Sequence, residues 1–225
     1  MGYHEAVMTL KSPEPLGPEL RQYAQRANFE ASAESFQALE GWLQELTLWN
    51  ARLDLTAAKT VPELVELMVG DALELARVIP RNAVVVDVGT GAGAPGVGLA
   101  CVRPDLAVTL VEPLQKRCAF LRQALAKAKR PGVKLLHGRL SHADNCMQTA
   151  SFVFSRATFA PGEWLSAACE RVRPGTTIAV LLAKEPVPED AMAQLVELRS
   201  YRLALSDRER TIALFLRKFA IGTEI

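Results

Sequence analysis

One stretch constrains this chain more than any other: Val84-Val85-Val86-Asp87-Val88-Gly89-Thr90-Gly91-Ala92-Gly93-Ala94-Pro95-Gly96. The β-branched run is apolar on both pleat faces, as in a strand buried within a parallel sheet. Gly89, Gly91 and Gly93 let the backbone turn tightly and come close to a ligand without Cβ interference. Pro95 suits the first turn of a following helix, where its missing N–H costs nothing. Strand, glycine loop and helix N-terminus together frame a nucleotide-cofactor site.

The acids bear on which cofactor. A dinucleotide lays its pyrophosphate on the glycine loop, and a carboxylate at Asp87 would repel that charge. S-adenosylmethionine has no phosphate, and its ammonium suits an acid there. The next strand-like run, Ala107-Val108-Thr109-Leu110-Val111-Glu112, ends in an acid about 20 residues past the glycines, where a carboxylate can grip two ribose hydroxyls. NAD proteins share that second feature, so only Asp87 discriminates. The expectation is adenosylmethionine ahead of NAD, with a ligand-free tight turn as the plainest alternative.

Bulk properties exclude more than they select. At 225 residues with 49% apolar content, the chain fits one principal α/β domain with a helical extension. A net charge of +1 argues against a generic polyanion binder, so nucleic-acid contact must rest on local basic patches. The four cysteines, Cys101, Cys118, Cys146 and Cys169, form no C-x-x-C pair, and His4, His137 and His142 lack metal-ligand spacing. No metal site is expected, and the thiols read as free in a reducing cytosol. Neither a membrane-length apolar stretch nor a signal peptide is visible, which predicts a cytoplasmic protein.

Proline and glycine at 13, 15 and 17 mark residues 1–17 as a loose arm. Residues 18–80 carry helical spacing only: Phe36, Leu39, Leu43, Leu46 and Trp49, then Leu64, Leu67, Met68, Leu73 and Leu75 after Pro62. They read as a helical cap on a catalytic domain of residues 81–225. There the pattern alternates, predicting strands at 83–88, 107–112, 133–137, 152–155, 177–183, 201–205 and 211–218, with helices at 95–102, 114–129, 161–172 and 188–198. Strands alternating with helices imply right-handed crossovers and a parallel sheet, with one late strand antiparallel after the short connection at Ser206–Glu209. The expected fold is an α/β seven-stranded, mostly parallel, Rossmann-like sheet of the class I adenosylmethionine-dependent methyltransferase type.

Further motifs carry a resemblance. Trp49-Asn50-Ala51-Arg52-Leu53-Asp54-Leu55-Thr56 resembles the W-N-x-x-x-N-L-T element of the GidB family, the bacterial small-subunit ribosomal RNA guanine-N7 methyltransferases. Asp87–Gly96 is similar to that family's D-V-G-S-G-A-G-F-P-G. Lys116-Arg117-x-x-Phe120-Leu121, His137-Gly138-Arg139, Ser155-Arg156-Ala157 and Lys184 after Arg173-Pro174-Gly175 also match. The resemblance spans about residues 36–218. It implies adenosylmethionine held by Asp87, Gly89, Gly91, Gly93, Pro95, Glu112, Arg139 and Leu140. It also implies a ribosomal RNA or small-subunit partner met by Asn50, Arg52, Lys116, Arg117 and Arg156, and a protein acting as a monomer.

Three places depart from the family pattern. H-x-x-D-S becomes Met68-Val69-Gly70-Asp71-Ala72, the fourth strand opens on Ser151 instead of aspartate, and K-G becomes Lys184-Glu185. These losses are expected on the substrate side. A methyltransferase for a small metabolite, or a non-catalytic cofactor-binding module, therefore stays open beside the ribosomal RNA reading, with a Rossmann oxidoreductase as the outsider.

The chemistry is consistent with the lack of a catalytic triad. Guanine N7 has a lone pair and no proton, so methylation needs positioning and no general base. Arg156, at the C-terminal end of the fourth strand, is the leading catalytic candidate, with a fork suited to guanine O6 or a phosphate. Pairing with Glu163 is the structural alternative. Lys184 has the same two readings. Lys116, Arg117, Arg122, Lys127, Lys129 and Arg130, with Arg139 beyond, make one helix basic, either as a solvated face or as a phosphate patch.

Overall fold

A computed structural model describes residues 16–219. Three helices come first: α1 (Leu16–Arg26), α2 (Ala33–Leu53) and α3 (Val61–Val78). Alternation follows: β1 (Val84–Val88), α4 (Gly96–Val102), β2 (Ala107–Glu112), α5 (Gln115–Lys127), β3 (Lys134–His137), a 3-10 turn (Leu140–His142) and α6 (Asp144–Thr149). The described chain closes with β4 (Phe152–Ser155), α7 (Pro161–Cys169), β5 (Thr177–Leu182), β6 (Ala193–Arg202) and β7 (Glu209–Arg217).

The sheet order is β3-β2-β1-β4-β5-β7-β6, parallel except for β7, which runs antiparallel to both neighbours. Strand order reverses between β1 and β4. Ligands of open α/β sheets bind in the crevice at the C-terminal ends of such a pair.

Alternation along the strands divides the core. Val85, Val108, Leu110, Phe152 and Phe154 face α1–α5, while Val86, Val88, Val111, Val153 and Val180 face α6 and α7. Burying each such side chain contributes roughly 1.5–3 kcal/mol before entropy is charged against it. The N-terminal helices share one continuous core with α4, α5 and the sheet, centred on Trp42, Leu43, Leu46, Leu64 and Phe120. Ser32 starts α2 by accepting the Ser35 N–H, and Thr60 starts α3 by accepting the Glu63 N–H.

Two expectations need correction. Of the arm over 1–17, residues 1–15 lie outside the described residues, and Leu16 and Gly17 are already buried in α1. The helix at 188–198 is absent: Ala193–Arg202 is the sheet's outer strand, with a bulge between Leu195 and Glu197. α6 and the 3-10 turn had no counterpart in the sequence reading. Among the described residues, no helix is long and apolar enough to cross a membrane, and no cluster of three His, Cys, Asp or Glu could hold a metal.

Candidate active site

The glycine loop leaves β1 at the switch point and is pinned from three sides. Gly89 and Thr90 donate their N–H groups to the Val111 carbonyl, and the buried Trp42 indole donates to the Ala92 carbonyl at 3.1 Å. From beyond β4, Thr158 donates to the Gly89 carbonyl at 3.2 Å. The glycines have different uses. At Gly89 (φ +75°) a Cβ would fall 2.3 Å from the Thr158 hydroxyl, so that glycine serves the closure of β1 onto the segment after β4. At Gly91 (φ +59°) a Cβ would meet nothing nearer than 3.9 Å, where the Arg117 guanidinium stands. Gly91 is the open face of the loop, where backbone can approach a ligand. Gly93 and Pro95 are buried and pack the loop onto the protein, with Pro95 immediately preceding α4.

The two acids differ from their expected roles. Asp87 is 0% exposed, and its Oδ2 accepts the Gly96 N–H at 3.0 Å, holding the start of α4. Its Oδ1 makes no well-aligned hydrogen bond, although the buried Thr90 hydroxyl stands beside it. Burial pushes the Asp87 carboxyl up to about 6, against the pull of the nearby Thr90 hydroxyl and the Gly96 amide. Asp87 was expected to face an ammonium; in the structure its carboxylate lies beneath the loop, on the α4 side of β1, and holds the start of α4. Glu112 is 1% exposed, and its two oxygens accept the N–H groups of Gly91 and Leu114, each at 2.9 Å. Each oxygen keeps a lone pair, so Glu112 fixes the loop and can still meet ribose hydroxyls.

Arg139 and Leu140 follow β3, whose last residue is in register with Glu112, and so lie at the same sheet end as the loop. Arg139 is exposed, and Leu140 is half-buried against the second core. These residues, the open Gly91 and the remaining lone pairs of Glu112 suit an adenosyl cofactor with hydroxyl donors.

Across the switch point, Arg156 is not paired with Glu163, which caps α7 by accepting the Ala160 N–H. Arg156 Nη1 instead donates to Asp71 at 2.8 Å and to the Leu67 carbonyl at 2.9 Å, while the Tyr201 hydroxyl donates to the other Asp71 oxygen at 2.6 Å. Nε and Nη2 remain for a ligand. Ala157 beside it has φ +55°, a conformation that costs a non-glycine residue about 1–2 kcal/mol. Arg156 lines a cavity of about 270 Å3 with Leu67, Asp71, Glu185, Tyr201 and Arg210. Lys184 lines an adjoining cavity of about 470 Å3, which shares Leu182, Ala183, Glu185 and Arg210 with the first.

The remaining RNA candidates scatter. Asn50 is structural: its Oδ1 accepts the Leu55 and Thr56 N–H groups and shapes the turn after α2. Arg52 is exposed on the last turn of α2. Lys116 is exposed at the start of α5, whereas Arg117 stands over the cofactor loop. Arg130 is spent on the Ala100 and Cys101 carbonyls at the end of α4. Lys127 and Lys129 lie at the far end of α5, roughly 20 Å from its first turn at 1.5 Å per residue.

The family departures also fall differently from expectation. Met68 and Ala72 are buried in the helical core, and Ser151 bonds Val84 at the opposite end of the strands. Glu185 alone reaches the Arg156 cavity. There one oxygen accepts the Ala183 and Lys184 N–H groups, which with its own N–H hold this carboxyl below its ordinary range. The motif acid that remains, Asp71, is the one that holds Arg156. Sequence reasoning missed Trp42, Thr158 and Tyr201. Tyr201 meets Asp71 from 130 positions away, a pairing that no local pattern encodes.

Comparison with known proteins bears out the resemblance. Residues 35–204 match the family model GidB, rRNA small subunit methyltransferase G. Relatives named ribosomal RNA small subunit methyltransferase G include one from Myxococcus xanthus, 32% identical and spanning 80% of this chain and 87% of that protein. Another from Rhodopseudomonas palustris is 34% identical over 72% of each chain. An RNA methyltransferase from Salinibacter ruber, solved with S-adenosyl-L-homocysteine, shares the fold with a TM-score of 0.50 and 19% identity, covering 69% of this chain and 94% of that one.

Proposed function

The chain belongs to the GidB family, rRNA small subunit methyltransferase G, and on that premise we propose that it methylates guanine N7 in small-subunit ribosomal RNA using S-adenosylmethionine. The observation that carries the reading is the meeting of two half-sites at one switch point: the open Gly91 loop after β1 and the Arg156 cavity after β4. When bound, the cofactor supplies an electrophilic methyl on a sulfonium. Gly89, Gly91, Glu112, Arg139 and Leu140 would hold it, with Arg117 as the cation for its carboxylate.

The protein's own task is orientation. Asp71 and Tyr201 fix the Arg156 guanidinium, so its free Nε and Nη2 can hold a base or its phosphate without reorganising. The N7 lone pair needs no proton removed, so a site built from an arginine and backbone, with no paired general base, is sufficient. We place the protein in the cytoplasm, acting as a monomer on the small subunit. The test is nucleoside mass spectrometry of small-subunit RNA incubated with protein and adenosylmethionine. N7-methylguanosine is the expected product; its absence from both naked RNA and subunits overturns the proposal.

A further inference from the structure

The Thr158 hydroxyl serves both halves of the site. Its Oγ1 lies 3.2 Å from the Gly89 carbonyl of the cofactor loop and 3.2 Å from the Arg156 carbonyl. A hydroxyl has one proton, so the two carbonyls share it. The loop is shaped to admit this side chain: a Cβ at Gly89 would fall 2.3 Å from the Thr158 hydroxyl and 2.6 Å from its methyl. Ala157, at φ +55°, turns the chain between Arg156 and Thr158.

A second hydroxyl stands on the other side of Arg156. The register of β1 with β4 ends at Asp87 and Phe154, and beyond it the buried Ser155 Oγ donates to the Val88 carbonyl at 2.7 Å. Consecutive carbonyls at the exit of β1, those of Val88 and Gly89, are thus held by side chains that flank Arg156. The two fastenings differ in their surroundings. Ser155 is buried and extends the sheet, whereas Thr158 is exposed, so water can replace its hydroxyl at either carbonyl. The Thr158 contacts therefore add little to stability. What they fix is the root of Arg156 relative to the loop, while Asp71 on α3 and Tyr201 on the β6–β7 hairpin fix its guanidinium.

We propose that Thr158 is a positioning residue for methyl transfer, setting the Arg156 turn in register with the cofactor loop. The proposal rests on the methyltransferase reading above. In-line displacement needs the methyl carbon and the attacking nitrogen aligned; the loop holds one partner and Arg156 the other. A hydroxyl bonded to both sides sets their separation, so it acts on the rate of transfer and leaves affinity to the remaining contacts.

The experiment compares wild type, Thr158→Val and Thr158→Ser in single-turnover methylation of small ribosomal subunits, with calorimetry for adenosylmethionine and a melting curve for each. Valine keeps the shape but puts a methyl 3.2 Å from two carbonyl oxygens, closer than the ~3.5–4.0 Å of an apolar contact, and so displaces the turn. Thr158→Val should lower the saturated transfer rate about tenfold, with affinity for subunits and cofactor within about twofold of wild type and melting unchanged. Thr158→Ser should restore the rate. In an Arg156→Ala background the valine should cost no more than about twofold, because the hydroxyl acts through that turn. With wild-type protein methylating the subunits, a wild-type rate in Thr158→Val, a loss confined to affinity, an equal loss in Thr158→Ser or a full tenfold loss in the Arg156→Ala background overturns the positioning role alone. Wild-type protein that yields no N7-methylguanosine overturns the functional reading and this role with it.

Discussion

Replacing Asp71 with alanine tests how the substrate half-site is built. Asp71 is 7% exposed and serves two donors, the Tyr201 hydroxyl at 2.6 Å and Arg156 Nη1 at 2.8 Å. A hydrogen bond from a buried hydroxyl to a carboxylate contributes roughly 1.5–3 kcal/mol. The Arg156 side chain is 21% exposed and keeps the Leu67 carbonyl, so its ion pair adds no more than about 1 kcal/mol. Asp71→Ala should therefore cost about 3 kcal/mol, lowering the melting temperature by ~2–4 °C per kcal/mol for a chain of this size. Tyr201→Phe should cost about half as much. Methyl transfer to small subunits should fall in Asp71→Ala as far as in Arg156→Ala, while adenosylmethionine affinity, measured by calorimetry, stays near wild type. A double-mutant cycle decides the matter: Asp71→Ala and Arg156→Ala should be strongly non-additive in activity, because the carboxylate acts through the guanidinium. Strict additivity, or a wild-type melting temperature in Asp71→Ala, refutes the reasoning.

Gly91→Ala should fold with a strain of about 1–2 kcal/mol yet bind adenosylmethionine poorly, while Gly89→Ala, driven into Thr158, should melt markedly lower; equal melting of the two would contradict the assigned uses. Glu112→Ala should weaken adenosylmethionine binding by about 1–3 kcal/mol, because two loop amides lose their acceptor, and calorimetry showing unchanged affinity removes Glu112 from the site. Asp87 has a folded pKa of about 6, above its ordinary value, so its own contribution to stability is fully present below pH ~4 and is lost as pH rises through about 6. Asp87→Asn, which keeps an acceptor for Gly96, should thus gain on wild type by up to about 3 kcal/mol at pH 7 and lose that advantage below pH 4; a gap independent of pH contradicts this.

What the sequence revealed and what it hid divide along local and distant causes. The β1–α4 junction was legible because its strand, turn and helix start are written in consecutive residues. Ala193–Leu198 misled because Ala, Gln, Leu and Glu favour helix, and the strand arises only from pairing with β7, with the bulge at Leu195/Glu197 erasing the alternation that marks a strand. The position of Arg156 at the end of β4 was legible, but its partners were not, since Asp71 lies 85 positions before it. Asp87 was placed correctly at the strand end, but its burial beneath the loop was not legible, because it depends on the helix packed over it.

The hairpin's attachment to α3 has a consequence for the order in which the protein becomes competent. Glu66, Asp71 and Glu74 on α3 hold Leu205, Tyr201 and Arg199, contacts spanning 125 to 139 positions. A chain emerging from the ribosome has its glycine loop and Glu112 in hand while the partners of α3 are still unmade. The cofactor loop is completed by Thr158 after β4, whereas the guanidinium is locked only when the last strands dock. The substrate half-site is therefore the last part of the protein to be completed during synthesis.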